Sequence, residues 1–181
     1  GPNHYVQAVN LLVRVYSKTG AALTAPFKLN SLFGALGGLC STTNSGDPIV
    51  LYDPLANKWL LSQFAFSSPT SPPYHQCIAI SQTPDPTGAY FLYDFISPGN
   101  NLNDYSKFGV WADAYYMTDN QFSNGGPFNG AGVFAFDRAK MLVGDNTASF
   151  VYFGLSTAFG GMLPADVDGS TPPPAGAPGY F

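Results

Sequence analysis

Cys77-Ile-Ala-Ile-Ser81, Gln-Thr-Pro-Asp-Pro-Thr-Gly88 and Ala-Tyr-Phe-Leu-Tyr-Asp-Phe95 form the stretch that decides the fold, because it has the pattern strand, turn, strand. The pattern returns later as Val133-Phe-Ala-Phe-Asp137, a polar stretch, and Ser149-Phe-Val-Tyr-Phe-Gly-Leu155. The two copies lie about 57 residues apart. A recurrence of this length indicates that the chain is built from repeated structural units.

A second matching pair of segments precedes each copy and enlarges the unit. Asp47-Pro-Ile-Val-Leu-Tyr-Asp53 and Lys58-Trp-Leu-Leu-Ser-Gln-Phe64 precede the first copy, and the segments 108–113 and 114–122 precede the second. The unit therefore has four short strands. Because one four-stranded sheet cannot cover its own apolar faces, we predict an all-β fold of stacked four-stranded antiparallel blades, the β-propeller.

The repeat divides the chain into one domain with a partial set of about three blades. Two units are complete, at 46–95 and 104–155, and residues 1–30 match the second to fourth strands of a further blade. Residues 162–181 are predicted to open the next blade. Since propellers close with about four to eight blades, we expect the remaining blades to come from the rest of a longer protein or from a second copy.

Composition and charge narrow the possible functions. The chain has 45% hydrophobic, 15% aromatic and only 10% charged residues, which is typical of a well-packed β domain. Seven Lys and Arg residues without a cluster, and a net charge of −4, argue against binding to nucleic acid. No apolar run is long enough to span a bilayer. We expect a secreted or cell-surface protein.

The two cysteines, Cys40 and Cys77, favour an oxidising compartment. We predict a disulfide between them, and the alternative at this stage is two buried free thiols. A zinc site is disfavoured, because no paired histidines accompany the two cysteines.

Acidic residues stand at equivalent points of successive units. Asp47, Asp104 and Asp166 each precede or begin a predicted innermost strand. Carboxylates that converge at one mouth of a propeller channel could serve as the acid and the nucleophile or base of glycoside hydrolysis. The alternative is that each aspartate shapes a turn through its short side chain, as we expect for Asp53 and Asp113.

Asp166-Val-Asp168-Gly169 resembles the opening of a calcium-binding loop, in which oxygen ligands alternate along the chain. No further acidic ligand follows, and three prolines come after Thr171. Calcium is the one cofactor for which the sequence contains possible ligands, Asp166 and Asp168. An ordinary Asp-Gly turn is the alternative.

Exposed aromatic residues could stack on sugar rings while amides bind the hydroxyl groups. Because adjacent residues of a strand face opposite ways, about half of the aromatic side chains must pack in the core, including Trp59 and Trp111. Tyr115, Asn120 and Gln121 are the residues that we predict to be exposed and to bind a ligand.

The segments 46–64, 77–88 and 107–117 resemble a group of large bacterial extracellular proteins that carry a propeller domain without an established activity. The resemblance implies secretion and a propeller fold, and it supplies no catalytic residues. The turn from Ser81 to Gly88 also resembles the blade turn of sialidase-like and arabinanase-like propellers. Arg14 and Arg138 are the only arginines, so the arginine cluster of sialidases is absent.

Two classes of function follow from the sequence. The first is a noncatalytic secreted or cell-surface module that binds a glycan or a protein partner, which the low charge and the lack of catalytic motifs favour. The second is a propeller glycoside hydrolase or polysaccharide lyase, which the repeated aspartates favour. Neither a nucleophile elbow nor a phosphate-binding loop occurs.

Overall fold

The computed structural model describes residues 1–181 and confirms the all-β prediction. Its strands form three antiparallel sheets, and none of its few short helical segments has the length and apolar character needed to cross a membrane. The strands are β1 (His4–Val9), β2 (Leu12–Ser17), β3 (Phe27–Lys28), β4 (Ile49–Asp53), β5 (Lys58–Ala65), β6 (His75–Ser81), β7 (Tyr90–Ile96), β8 (Asn101–Val110), β9 (Tyr115–Ser123), β10 (Phe128–Phe136) and β11 (Phe150–Gly154), and the α-helices are α1 (Gly38–Thr42) and α2 (Arg138–Met141).

Each sheet is a meander in which every strand pairs with the next strand in the chain. Sheet 1 contains β1 to β3, sheet 2 contains β4 to β7, and sheet 3 contains β8 to β11. Sheets 2 and 3 coincide with the two four-stranded units of the sequence. Residues 162–181, expected to open a further unit, form no strand and instead lie across β8 and β9, where the Val167 N–H donates to the Val110 carbonyl.

Sheets 2 and 3 pack face to face through a core of alternating side chains. Phe136 lies at its centre, and its ring centroid is 5.0 Å from that of Phe95 and 5.4 Å from that of Phe150. Burial of large aromatic side chains is the main source of stability in such an interface. The buried members of this core are Leu60, Ile78, Ile80, Tyr93, Phe95, Phe108, Val110, Tyr115, Met117, Phe134, Phe136 and Met141.

A second core joins sheet 1 to the opposite face of sheet 2. Trp59 is buried here, as predicted, and its indole N–H donates to the Pro84 carbonyl. Val13 and Leu29 are also buried in this core, together with α1. Sheet 2 is thus covered on both faces and forms the middle layer of the molecule.

The disulfide between Cys40 and Cys77 confirms the prediction from the sequence. It connects α1 to β6 inside the second core, and both cysteines are fully buried. The bond closes a loop across a sequence separation of 37 residues. A cross-link over a loop of this length stabilises the fold mainly by restricting the unfolded chain.

We expect the double substitution Cys40→Ala and Cys77→Ala to lower the free energy of unfolding by about 2–4 kcal/mol, because the unfolded chain regains its freedom. Urea denaturation of the variant and of the wild type measures this difference. Wild-type protein treated with a phosphine reductant is the control and should lose a similar amount. A loss below about 0.5 kcal/mol in both would show that this cross-link does not support the fold.

The first strands of the three sheets lie side by side and surround a groove. β4 contacts β8 on one side and β1 on the other. The central groove has a volume of about 700 Å³ and is bounded by residues 5–8 of β1, residues 48–51 in and before β4, and Lys107 and Phe108 of β8.

Candidate functional site

A polar depression lies where β4 begins and where β8 bends. It has a volume of about 220 Å³ and adjoins the central groove, with which it shares Pro48, Ile49 and Lys107. We call it the rim depression and define it by the residues Asp47, Pro48, Ile49, Tyr105, Ser106 and Lys107. It combines a carboxylate, a phenol, a hydroxyl and an ammonium group on one surface.

Tyr105 projects into this depression because β8 carries a β-bulge. The register with β9 shifts between Asp104 and Lys107, and Tyr105 adopts a left-handed backbone conformation with φ of 57°. The Asp104 carboxylate accepts a hydrogen bond of 2.9 Å from the Tyr105 N–H. A large residue rarely adopts a positive φ, and such backbone conformations concentrate at functional sites.

The side chain of Tyr105 is 57% exposed and is held by a cation. The Lys107 ammonium lies 3.6 Å from the centre of the Tyr105 ring, a cation–π contact. The same ammonium donates to the Ser106 carbonyl. The ring therefore contacts a cation without being buried, which leaves an aromatic surface facing solvent.

Asp47 reaches the depression through a second unusual backbone segment. Gly46 has a φ of +103°, which favours glycine, and a Cβ atom at this position would lie 2.7 Å from the Asn10 Oδ1. Asp47 follows with a φ of 49° and is exposed. Pro48 then leads into β4. The close approach of Gly46 to Asn10 thus places the Asp47 carboxylate beside the bulge of β8.

The three aspartates predicted as a catalytic set do not converge. Asp47 and Asp104 lie at the same end of β4 and β8, since residues 105–107 share the rim depression with Asp47. Asp166 accepts a hydrogen bond of 2.7 Å from the Val110 N–H, at the other end of β8. Val110 lies six positions after Asp104 along β8, which corresponds to at most roughly 20 Å. The structure therefore keeps Asp166 apart from the other two.

The expectation that Tyr115 and Gln121 are exposed is wrong. Both face sheet 2 and are almost fully buried, because their positions in β9 have the same parity as the core residue Met117. The Tyr115 hydroxyl donates to the Asp53 carboxylate, and the side-chain Oε1 of Gln121 accepts from the Tyr152 hydroxyl. Asn120 points the other way, is half-buried, and accepts from the Gly161 N–H.

Two groups of residues could be considered for a metal ion. Asp166 and Asp168 lie with Trp111 and Thr171 around a depression of about 200 Å³, and calcium binding there stays a prediction. Cys40, His75 and Asp94 bring their ligand atoms within 4.8 Å of one another. The Cys40 sulfur is bonded to Cys77 and cannot supply a thiolate, while His75 and Asp94 hydrogen-bond to each other at 2.6 Å.

Tyr105 and Lys107 were not predicted as site residues from the sequence. The signal for them is a change of phase in β8, where the buried positions are Asn101 and Asn103 before the bulge and Ser106, Phe108 and Val110 after it. The buried residues before the bulge are polar, so hydrophobic alternation does not reveal the change. Comparisons with protein-family models, curated proteins and solved structures gave no match.

Proposed function

We propose that this chain is a noncatalytic, extracellular binding module of the β-propeller type, and that it binds neutral glycans at the rim depression. The observation that carries the proposal is the exposed ring of Tyr105 beside the Asp47 carboxylate and in contact with the Lys107 ammonium. A flat ring can pack on the apolar face of a sugar, and the charged groups can exchange hydrogen bonds with its hydroxyl groups.

The arrangement of the sheets supports a propeller. Two four-stranded meanders pack face to face, and their first strands, β4 and β8, are neighbours. Both run in the same direction, since Asp47 lies beside Tyr105 at one end and Asp53 bonds to Tyr115 at the other. Repeated blades around a common axis place their first strands in this way.

The chemistry of the chain supports an extracellular location. The disulfide is stable where the surroundings are oxidising. Only 10% of the residues are charged, so polar uncharged side chains and glycines cover much of the surface. Such a surface suits the recognition of hydroxyl-rich polymers better than that of nucleic acids.

We expect Tyr105→Ala to weaken glycan binding at least tenfold, because the stacking surface is lost, which corresponds to about 1.4 kcal/mol or more. A glycan array of neutral polysaccharides identifies a ligand, and calorimetric titration then compares the variants. Tyr105→Phe keeps the ring and should bind within about threefold of the wild type. Tyr180→Ala is the control, because it removes a tyrosine that is 67% exposed but lies outside the rim depression, and it should not change the affinity.

Tyr105→Gly separates binding from folding. Glycine adopts a positive φ without strain, so this variant removes the ring and relieves the backbone at the same time. We expect it to lose glycan binding as Tyr105→Ala does while retaining the thermal stability of the wild type. Unchanged affinity in both variants would refute the proposed site.

Incubation with the bound polysaccharide tests the enzymatic alternative, which is a glycoside hydrolase or polysaccharide lyase. Asp47 and Asp104 are the carboxylates that such a reaction would use at the rim depression, since they lie at the same end of β4 and β8. Release of reducing ends or of unsaturated sugars from the bound polysaccharide, abolished by Asp47→Asn, would replace the noncatalytic proposal. Intact polysaccharide after prolonged incubation supports binding alone.

A further inference from the structure

Sheet 1 has three strands where sheets 2 and 3 have four, and its first strand runs in the direction opposite to β4. Asn10, at the end of β1, lies against Gly46 before β4, whereas Gly1 lies against Tyr52 near the end of β4. β1 is therefore antiparallel to β4. In sheets 2 and 3 it is the second strand that runs opposite to the first, so β1 has the direction of a second strand.

The edge of β1 that faces the central groove has no backbone partner. β1 pairs with β2 on one side only, and none of the backbone hydrogen bonds outside the sheets involves the N–H groups or carbonyls of residues 5–8. The register closes on Val9 and Leu12 across a two-residue turn. In an antiparallel ladder, residues alternate between pairs that hydrogen-bond to the partner strand and pairs that do not. Counted from Val9 and Leu12, the N–H and carbonyl groups of Val6 and Ala8 point away from β2 and toward the groove.

We propose that the central groove accepts an extended peptide segment that adds to the edge of β1 as a fourth strand of sheet 1. The strand would run antiparallel to β1 and hence in the direction of β4 and β8, beside which it would lie. An open sheet edge next to an apolar groove is the arrangement that β-strand addition requires. The proposal shares with the proposed function the premise of repeated units, and it rests on the free edge of β1, which is not part of the rim depression.

The neighbouring sheets indicate what kind of segment fits. β4 holds the corresponding place in sheet 2 with the sequence Ile-Val-Leu-Tyr-Asp, and its side chains are mostly half-buried. The groove is bounded by Val6, Ala8, Ile49 and Leu51, which are apolar. The occupant is therefore a stretch of about five residues rich in β-branched and aliphatic side chains, of the same type as β4.

The test uses a fluorescein-labelled peptide with the sequence of residues 46–53, and fluorescence anisotropy measures its binding to the full chain. We expect saturable binding that falls at least tenfold in Ala8→Pro, because proline removes a backbone N–H that faces the groove. Ala8→Ser keeps this N–H and should bind as the wild type does. A peptide of scrambled sequence should bind at least tenfold more weakly.

A fused strand removes the dependence on affinity between separate molecules. Residues 47–57, which contain β4 and its turn to β5, are copied in front of His4, so that the copy and β1 can form the same hairpin as β4 and β5. We expect hydrogen exchange of the Val6 and Ala8 amides to slow at least tenfold. A fusion whose copy of Leu51, the residue opposite Val6, is replaced by proline is the control, because its N–H is lost.

The outcomes separate this proposal from the glycan site. Protection of the two amides, or binding that Ala8→Pro abolishes, supports strand addition even if no glycan binds. Unprotected amides in the fusion, or equal binding by Ala8→Pro and Ala8→Ser, would overturn it whatever the result for Tyr105.

Discussion

Replacing Arg138 by methionine is expected to lower the free energy of unfolding by about 3–5 kcal/mol, because it leaves a buried carboxylate without its cation. Asp53 is fully buried between sheets 2 and 3. The Arg138 guanidinium donates to both of its oxygens, at 2.8 Å from Nε and 3.1 Å from Nη2. The Tyr115 hydroxyl donates to the same carboxylate at 2.8 Å.

Asp53 also explains why the pair is hard to replace on one side only. Its Oδ1 accepts from the backbone N–H groups of Leu55 and Ala56 and so fixes the turn between β4 and β5, the role expected for it from the sequence. Arg138 in turn donates to the Ala112 carbonyl in the turn between β8 and β9. One ion pair therefore connects the turns of two sheets. Burial and the charge of Asp53 also raise the pKa of the neighbouring Tyr115 hydroxyl.

Urea denaturation of Arg138→Met measures the effect, and Arg14→Met is the matched control. Arg14 is the only other arginine, is half-buried at the edge of the molecule, and donates to the Thr24 carbonyl. Its loss should cost less than about 1 kcal/mol. In the double variant Asp53→Asn and Arg138→Met the loss should be smaller than the sum of the single losses. Equal effects at both arginines would contradict the interpretation.

Stability should fall between about pH 4 and pH 7 because of Asp119. Burial raises the pKa of this carboxyl group to about 7 from a model-compound value of 3.8, although the Gly132 N–H donates to it at 3.0 Å and opposes the shift. The folded state then holds a proton that the unfolded state has released. The stabilising contribution is complete below about pH 4 and is lost as the pH rises through about 7, by roughly 4 kcal/mol in total.

Asp119→Asn isolates this contribution. Asparagine keeps an acceptor for the Gly132 N–H but does not titrate, so the free energy of unfolding of the wild type relative to the variant should decrease from pH 4 to pH 7.5. A series of urea denaturations at fixed ionic strength measures both profiles, and other titrating groups cancel in the difference. Parallel profiles would show that Asp119 is not protonated in the folded protein.

Gly132 restricts the surroundings of this carboxyl group. A Cβ atom at Gly132 would lie 2.4 Å from both the Asp119 Oδ1 and the Gln121 amide nitrogen. The backbone of β10 must therefore approach β9 without a side chain. A glycine inside a strand often marks such a close approach, and here the approached carboxyl group lies 13 residues away in β9.

The sequence by itself determined the all-β class, the four-strand units and the turn formed by Asp53. Strand alternation and turn residues are local signals, and a repeat of about 57 residues shows each of them twice. The short helix α2 also depends on a local signal, because the Asp137 side chain accepts from the Lys140 N–H as its N-cap. The disulfide could be predicted because only two cysteines exist.

Only the tertiary structure decided which aromatic and polar residues reach the surface. In the sequence, nothing distinguishes Tyr115 and Gln121 from Tyr105 as candidates for the surface. Sheet 2 covers the face of β9 that carries Tyr115 and Gln121, whereas a bulge in β8 turns Tyr105 outward. The partnership of Asp53 with Arg138 spans 85 residues and leaves no local pattern. Burial, bulges and distant ion pairs depend on how the sheets pack against each other, which the alternation within one strand does not encode.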